Sequence, residues 1–166
     1  MILETPRLTL REAGAEDAAF VLDLLNAPGF IQGIGDRGVR TLDEARGYIE
    51  TRILSSYRDH GFGMWVVTPK GEGQAVGLCG LVRREILPHV DLGYAFLERY
   101  WGQGYAQEAA GAVLAHARGV FGLATVAAIV NPDNLASCRV LEKIGFRWVD
   151  IRQLEGWDQP SAYYCA

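Results

Sequence analysis

His89-Val90-Asp91-Leu92-Gly93-Tyr94-Ala95-Phe96-Leu97-Glu98-Arg99-Tyr100-Trp101-Gly102-Gln103-Gly104-Tyr105-Ala106-Gln107-Glu108-Ala109 decides the reading of this chain, with the helical pattern that continues to Phe121. An apolar strand, His89 to Phe96, runs into a tight glycine turn. An amphipathic helix follows, about Tyr105 to Val120. Ala106, Ala109, Ala110, Val113, Leu114, Ala117, Val120 and Phe121 lie on its apolar stripe. The first turn of a helix leaves backbone N–H groups without partners and carries the positive end of the helix dipole. A strand that feeds such a turn through glycines therefore makes a phosphate-binding corner.

Two familiar phosphate loops do not fit. The dinucleotide fingerprint needs Gly-x-Gly-x-x-Gly early in the chain; here Gln107 stands at the third glycine, past the midpoint. The nucleoside-triphosphate loop needs Gly-Lys-Ser/Thr, which is absent. The loop is read as a diphosphate cradle of another kind.

Outward from this stretch, the elements fall in a regular order. Upstream, Met64–Thr68 and Ala75–Arg83 are apolar runs separated by the turn Pro69-Lys70-Gly71-Glu72-Gly73. With His89–Phe96 they predict an antiparallel meander. Gly77 and Gly80 inside the second run point to a bulge or a close backbone approach. Downstream, Thr125–Val130 is a continuous apolar run. Joined to His89–Phe96 through a helix, it predicts a right-handed parallel crossover. Asn134 is a helix N-cap for a short helix through Leu135, Cys138, Leu141 and Ile144. Phe146–Leu154 and Ala162–Cys165 read as the last strands.

The first third carries an alternating strand, Arg7–Arg11, and a helix from Glu16 to Asn26 that Pro28-Gly29 is expected to stop. Phe30–Val39 reads as a glycine-rich loop, either a connector or the wall of a ligand site. Thr41-Leu42-Asp43-Glu44 is a capping box, and the helix it opens ends at His60-Gly61.

Composition bounds the class. A chain of 166 residues fits one domain, 1–166, with a sizeable core. Its net charge of -4 argues against a general nucleic-acid binder. No apolar run approaches the ~20 residues that span a bilayer. The start, Met1-Ile2-Leu3-Glu4-Thr5-Pro6, lacks a signal-peptide pattern, so a cytoplasmic location and no membrane partner are expected. Cys79, Cys138 and Cys165, and His60, His89 and His116, show no metal-ligand spacing, so no metal is expected.

Arg99-Tyr100-Trp101-Gly102-Gln103-Gly104-Tyr105-Ala106 resembles the pyrophosphate loop of the GNAT N-acetyltransferases, of the form Arg/Gln-x-x-Gly-x-Gly/Ala. Leu3–Arg11 resembles the opening strand of the RimJ/RimL ribosomal-protein branch, and Leu92-Gly93-Tyr94 with Tyr100–Ala109 resembles its core. Asn131 to Phe146 resembles its last motif, so the likeness spans nearly the whole chain in order. It implies an α/β (α+β) fold: a mixed, mostly antiparallel sheet of about six to seven strands, two central parallel strands splayed apart, and about four helices.

The resemblance also implies acetyl-CoA as cosubstrate, with its pantetheine arm paired to the end of His89–Phe96. Phe96 and Leu97 would offer backbone contacts, one N–H there serving the oxyanion. Gly102 and Gly104 permit the turn, and Gln103, Gly104, Tyr105 and Ala106 would give N–H groups to the pyrophosphate. Arg99 would add charge or remain a solvated arginine. Asp91 is either the base that deprotonates the amine or an ordinary strand residue. Many relatives place a tyrosine where Leu141 stands, so a tyrosine acid cannot be carried over. Ser137 is then either a hydrogen-bond donor to the leaving thiolate or a helix first-turn serine. Asn134 would serve as both cap and cofactor ligand.

The implied activity is acetyl transfer to a primary amine by direct attack in a ternary complex. The acceptor is a protein N-terminus or a small amine, and the assembly a monomer or homodimer. Phe30–Val39, Tyr57–Phe62 and the loop at Trp157 are expected to select the acceptor. The alternative is a non-catalytic acyl-CoA-binding or sensing module.

Overall fold

The parallel crossover expected around Thr125–Val130 sits at the centre of the molecule. A computed structural model describes residues 1–166. The strands are β1 (Leu3–Glu4), β2 (Leu8–Arg11), β3 (Met64–Pro69), β4 (Gly77–Val82), β5 (Asp91–Phe96), β6 (Ala127–Val130), β7 (Arg147–Arg152) and β8 (Ser161–Cys165). They form one eight-stranded sheet of order β1-β2-β3-β4-β5-β6-β8-β7. Every neighbouring pair is antiparallel except β5 and β6. The sheet thus exceeds the six to seven strands expected. β1 is only two residues long, too short to show alternation in sequence.

The helices are α1 (Ala18–Asn26), α2 (Pro28–Gly33), α3 (Leu42–Tyr48), α4 (Ser55–His60), α5 (Tyr105–Gly119) and α6 (Leu135–Lys143). A π-helical stretch, Ile49–Leu54, joins α3 to α4, so the helix expected from Thr41 to His60 is continuous. Thr41 Oγ1 accepts the Glu44 N–H at 3.1 Å, as the capping box predicts. Gly61 ends the run at φ 78°, a left-handed conformation suited to glycine.

One expectation fails at Phe30–Val39. Pro28 does not only stop α1; it opens α2 from its first position, where a missing N–H costs nothing. The Gly29 N–H is taken by the Glu98 carboxylate, so the partner that fixes this helix lies far along the chain. Val120 is also corrected. It lies past the end of α5 and is exposed rather than in the core stripe.

Alternation along β5 divides the core. Leu92 and Phe96 join the larger cluster under α5, whereas Ala95 packs against the cluster under α1 and α3. Ala109, Ala110, Val113 and Ala117 are fully buried, and their small side chains let α5 lie close on β4 and β5. The strand glycines are close-approach positions. A Cβ at Gly80 would stand 2.0 Å from the Gly63 carbonyl oxygen, and one at Gly77 would enter the Phe96 ring.

Candidate active site

β5 and β6 share a single ladder pair, Asp91 with Ala127, and the Ala127 N–H reaches the Val90 carbonyl at 2.9 Å. Beyond that pair the strands separate. Antiparallel pairing alternates the direction of backbone groups. Leu97 gives its N–H to Val76 on the β4 side at 2.9 Å, so Tyr94 and Phe96 turn theirs toward the gap. Gly93, Tyr94 and Ala95 are only half-buried although they lie in the middle of the sheet. The gap is therefore a slot open to solvent, edged by unpaired backbone on one side.

The slot leads to the glycine loop. Gly102 and Gly104 adopt φ 77° and 79°, which an L-residue with a side chain resists. Gly104 is the N-cap of α5 and supplies no side chain to the helix start. The N–H groups of Tyr105, Ala106 and Gln107 thus remain the free donors of an uncapped helix. Gln103 is exposed on the turn. Leu97 departs from its expected role: its N–H bonds Val76 and its carbonyl accepts from Tyr100 at 2.9 Å. The Phe96 carbonyl already receives the Trp101 indole N–H at 2.8 Å, which folds the loop back on the strand. Arg99 turns toward α1, 3.8 Å from Asp23, with its guanidinium over the Tyr100 ring.

Arg7 holds the loop from below. Its Nη1 donates to the Gln103 carbonyl at 2.8 Å and its Nε to Glu108 Oε1 at 2.8 Å. Glu108 also accepts from the Thr5 hydroxyl and from the Arg7 backbone N–H. Burial raises the Glu108 carboxyl, but the hydrogen bonds from Thr5 and Arg7 outweigh it and hold it below its ordinary value.

Across the slot, Asn134 caps α6: its Oδ1 accepts the Ser137 N–H at 3.1 Å, leaving its Nδ2. Ser137 points back at β5, where the Tyr94 hydroxyl lies 2.7 Å from its Oγ. Leu141, standing where many relatives carry tyrosine, is buried in the core. Gly33 at the end of α2 approaches Asn134, so α2 reaches from the loop side toward the α6 side.

Asp91 faces the opposite side of the sheet from Tyr94, two positions from Gly93. Its side chain is 2% exposed and Arg84 Nε lies 3.2 Å from its Oδ1. Burial pushes the carboxyl up to about 6 against the opposing pull of Arg84. Arg84 also lines a polar cavity of about 270 Å³ between α4 and the end of β4. The structure therefore gathers Phe96, Gly102, Gln103, Gly104, Tyr105, Ala106, Asn134 and Ser137 around one slot. Asp91 stands at its closed end, and Arg99 points elsewhere.

Residues 7–147 match the family model of the acetyltransferase (GNAT) domain. The chain belongs to the GNAT acetyltransferase family. This GNAT chain is 32% identical over 165 residues to the uncharacterized protein YkkB of Bacillus subtilis (strain 168), covering 98% of this chain and 93% of that one. Among solved structures, the acetyltransferase from Agrobacterium tumefaciens str. C58 superposes with a TM-score of 0.84 at 27% identity, over 99% of this chain and 92% of that one. RimL, a ribosomal α-N-protein acetyltransferase solved in complex with coenzyme A, shares the fold at 20% identity and a TM-score of 0.84, covering 99% and 96% of the two chains.

Tyr94 and Arg7 join the site of this GNAT domain with no local spacing in the sequence to mark them. Both lie inside stretches that resemble the family, and that was the signal available. Their partners lie 43 and 96–101 residues away, beyond any local spacing rule.

Proposed function

We propose that the chain transfers the acetyl group of acetyl-CoA to a primary amine by direct attack in a ternary complex. The observation that carries this reading is the single β5–β6 ladder pair. It leaves a slot edged by Tyr94 and Phe96 backbone groups and ending at the uncapped start of α5. The pantetheine arm pairs with Phe96 as an added strand would. The pyrophosphate rests on the N–H groups of the Gln103–Ala106 turn, with Asn134 Nδ2 facing the arm from α6. The Leu97 N–H is not a donor to the arm in this reading, because Val76 already takes it.

The amine enters from the face of Asp91, Gly93 and Ala95, where Gly93 leaves room. An α-amine titrates near ~8 and a lysine near ~10, so each must lose a proton before attack. Asp91, pushed up to about 6, is a base matched to that task. It stands about 10 Å along the strand from Tyr94, whose N–H meets the thioester, at ~3.3 Å per residue, so the proton travels through water. The cavity beside Arg84 returns it to solvent.

The neutral nitrogen attacks the thioester carbon, and the C–N bond forms as the carbonyl pair moves to oxygen. The Tyr94 N–H, the innermost free donor, holds the oxyanion. Collapse of the intermediate breaks the C–S bond and leaves the electron pair on sulfur. The Ser137 hydroxyl hydrogen-bonds that thiolate. The surplus proton on nitrogen finally neutralises the sulfur, so CoA departs as the thiol.

Acetyl-CoA is to be mixed with peptides bearing free N-termini and with small primary amines while free thiol is followed. Acceptor-dependent thiol release is expected with at least one class. Tight CoA binding with no release on any acceptor would instead assign an acyl-CoA-binding module.

A further inference from the structure

The two sides of the slot are joined by one pair of side chains. The Tyr94 hydroxyl on β5 lies 2.7 Å from Ser137 Oγ and 3.2 Å from the Ser137 carbonyl oxygen on α6. Each hydroxyl has one proton to give. In the free chain both can be placed: Ser137 donates to the Tyr94 oxygen, and Tyr94 donates to the Ser137 carbonyl. A second arrangement needs no heavy atom to move. Ser137 turns its proton toward the slot, and Tyr94 turns its proton to Ser137 Oγ. The second arrangement presents a donor to an anion in the slot and polarises it from behind.

We propose that Tyr94 is a positioning residue for the thiolate of CoA, acting through Ser137, on the reading that acetyl-CoA occupies the slot. Tyr94 transfers no proton in this scheme. Burial pushes its phenol up to about 12, above the ~8.5 of a thiol, so it remains a donor throughout. The serine alone is a weak donor with a free rotor. With Tyr94 bonded to its oxygen, one rotor state is favoured, the one aimed at sulfur. This fills the place that Leu141 leaves empty, by two hydroxyls on facing elements rather than one phenol on α6. A tie serving only to hold β5 to α6 would be insensitive to the charge on sulfur.

The test is the titration of the CoA thiol in the complex, read from the ultraviolet absorbance of the thiolate. It needs no acceptor and so stands apart from turnover. Bound to the wild type, CoA is expected to ionise below the ~8.5 of a free thiol. Tyr94→Phe keeps the ring and removes only the hydroxyl. It is expected to raise the bound thiol by about 0.5 units, roughly threefold in thiolate stabilisation, with CoA affinity at low pH unchanged. Ser137→Ala is expected to shift it at least as far, and adding Tyr94→Phe to Ser137→Ala should then move nothing. Identical titrations for wild type and Tyr94→Phe would overturn the proposal. So would a Tyr94→Phe shift that persists in the Ser137→Ala background. Failure of the wild type to bind CoA would refute the occupied slot itself, and with it the role of the pair.

Discussion

Arg7 and Glu108 are paired at 2.8 Å across 101 residues of sequence. The pair ties the strand that opens the chain to the first turn of α5, and the same guanidinium holds the Gln103 carbonyl. The glycine loop is thus pinned from outside as well as by its own Trp101–Phe96 bond. Glu108→Gln is expected to lower stability by about 1 kcal/mol, since Arg7 is half exposed and solvent weakens the pair. It should also weaken CoA binding by loosening the turn. The Glu108 carboxyl is depressed in the folded chain, so its contribution is present above the unfolded value of 4.5 and lost as pH falls through the folded one. Denaturant unfolding should show the gap between wild type and Glu108→Gln closing as the pH drops below that range.

Gly102 and Gly104 share a backbone conformation but differ in surroundings. A Cβ at Gly102 meets nothing within 4 Å, while one at Gly104 stands 3.2 Å from Arg7 Nη2. Gly102→Ala should therefore cost only the left-handed strain, about 1–2 kcal/mol. Gly104→Ala should add displacement of Arg7 and a fall in CoA affinity of about tenfold, or 1.4 kcal/mol. Calorimetric titration with CoA checks both. Equal affinity for Gly104→Ala and wild type would place the diphosphate elsewhere.

Gly93 has open space beside it, with Met64 the nearest atom at 3.9 Å. Valine there suits a strand and should fold normally. It would project onto the acceptor face. Gly93→Val is expected to retain CoA binding and thermal stability while acceptor-dependent turnover falls by about tenfold or more. A mutant that turns over normally would mean that the amine enters from another side.

Asp91 links activity to stability through its raised carboxyl. Its folded value of about 6 lies above the ordinary 3.8. Between about pH 4 and 6 the folded chain binds more protons than the unfolded chain, so stability falls as pH rises through that window. Asp91→Asn lacks this slope. Unfolding free energies measured across the window should diverge in that sense. Turnover of the wild type should rise with pH through about 6, and Asp91→Asn should lose that limb.

Local patterns define the local elements, except at Val120, which the apolar stripe includes and the end of α5 leaves exposed. The Thr41 and Asn134 caps, the turn at Gly102 and Gly104, and the α5 stripe each depend on residues a few positions apart. Periodicity and capping are short-range effects, so the sequence carries them on its face. The parallel crossover followed from element order, because a strand, helix and strand in one sheet have one favoured hand.

Other features had no local signal. Pro28 fits the end of one helix or the start of the next equally well, and Glu98 decided for the start. Leu97 was expected to face the cofactor, but the register with β4 turns its N–H away. The height of Asp91 in the slot depends on where β5 and β6 part, and that is set by one ladder pair. The chain by itself therefore determined the loop, the caps and the order of elements. Only the tertiary structure set Tyr94 against Ser137 and Arg7 beneath the loop, because such contacts form between elements that chain length separates and core packing brings together.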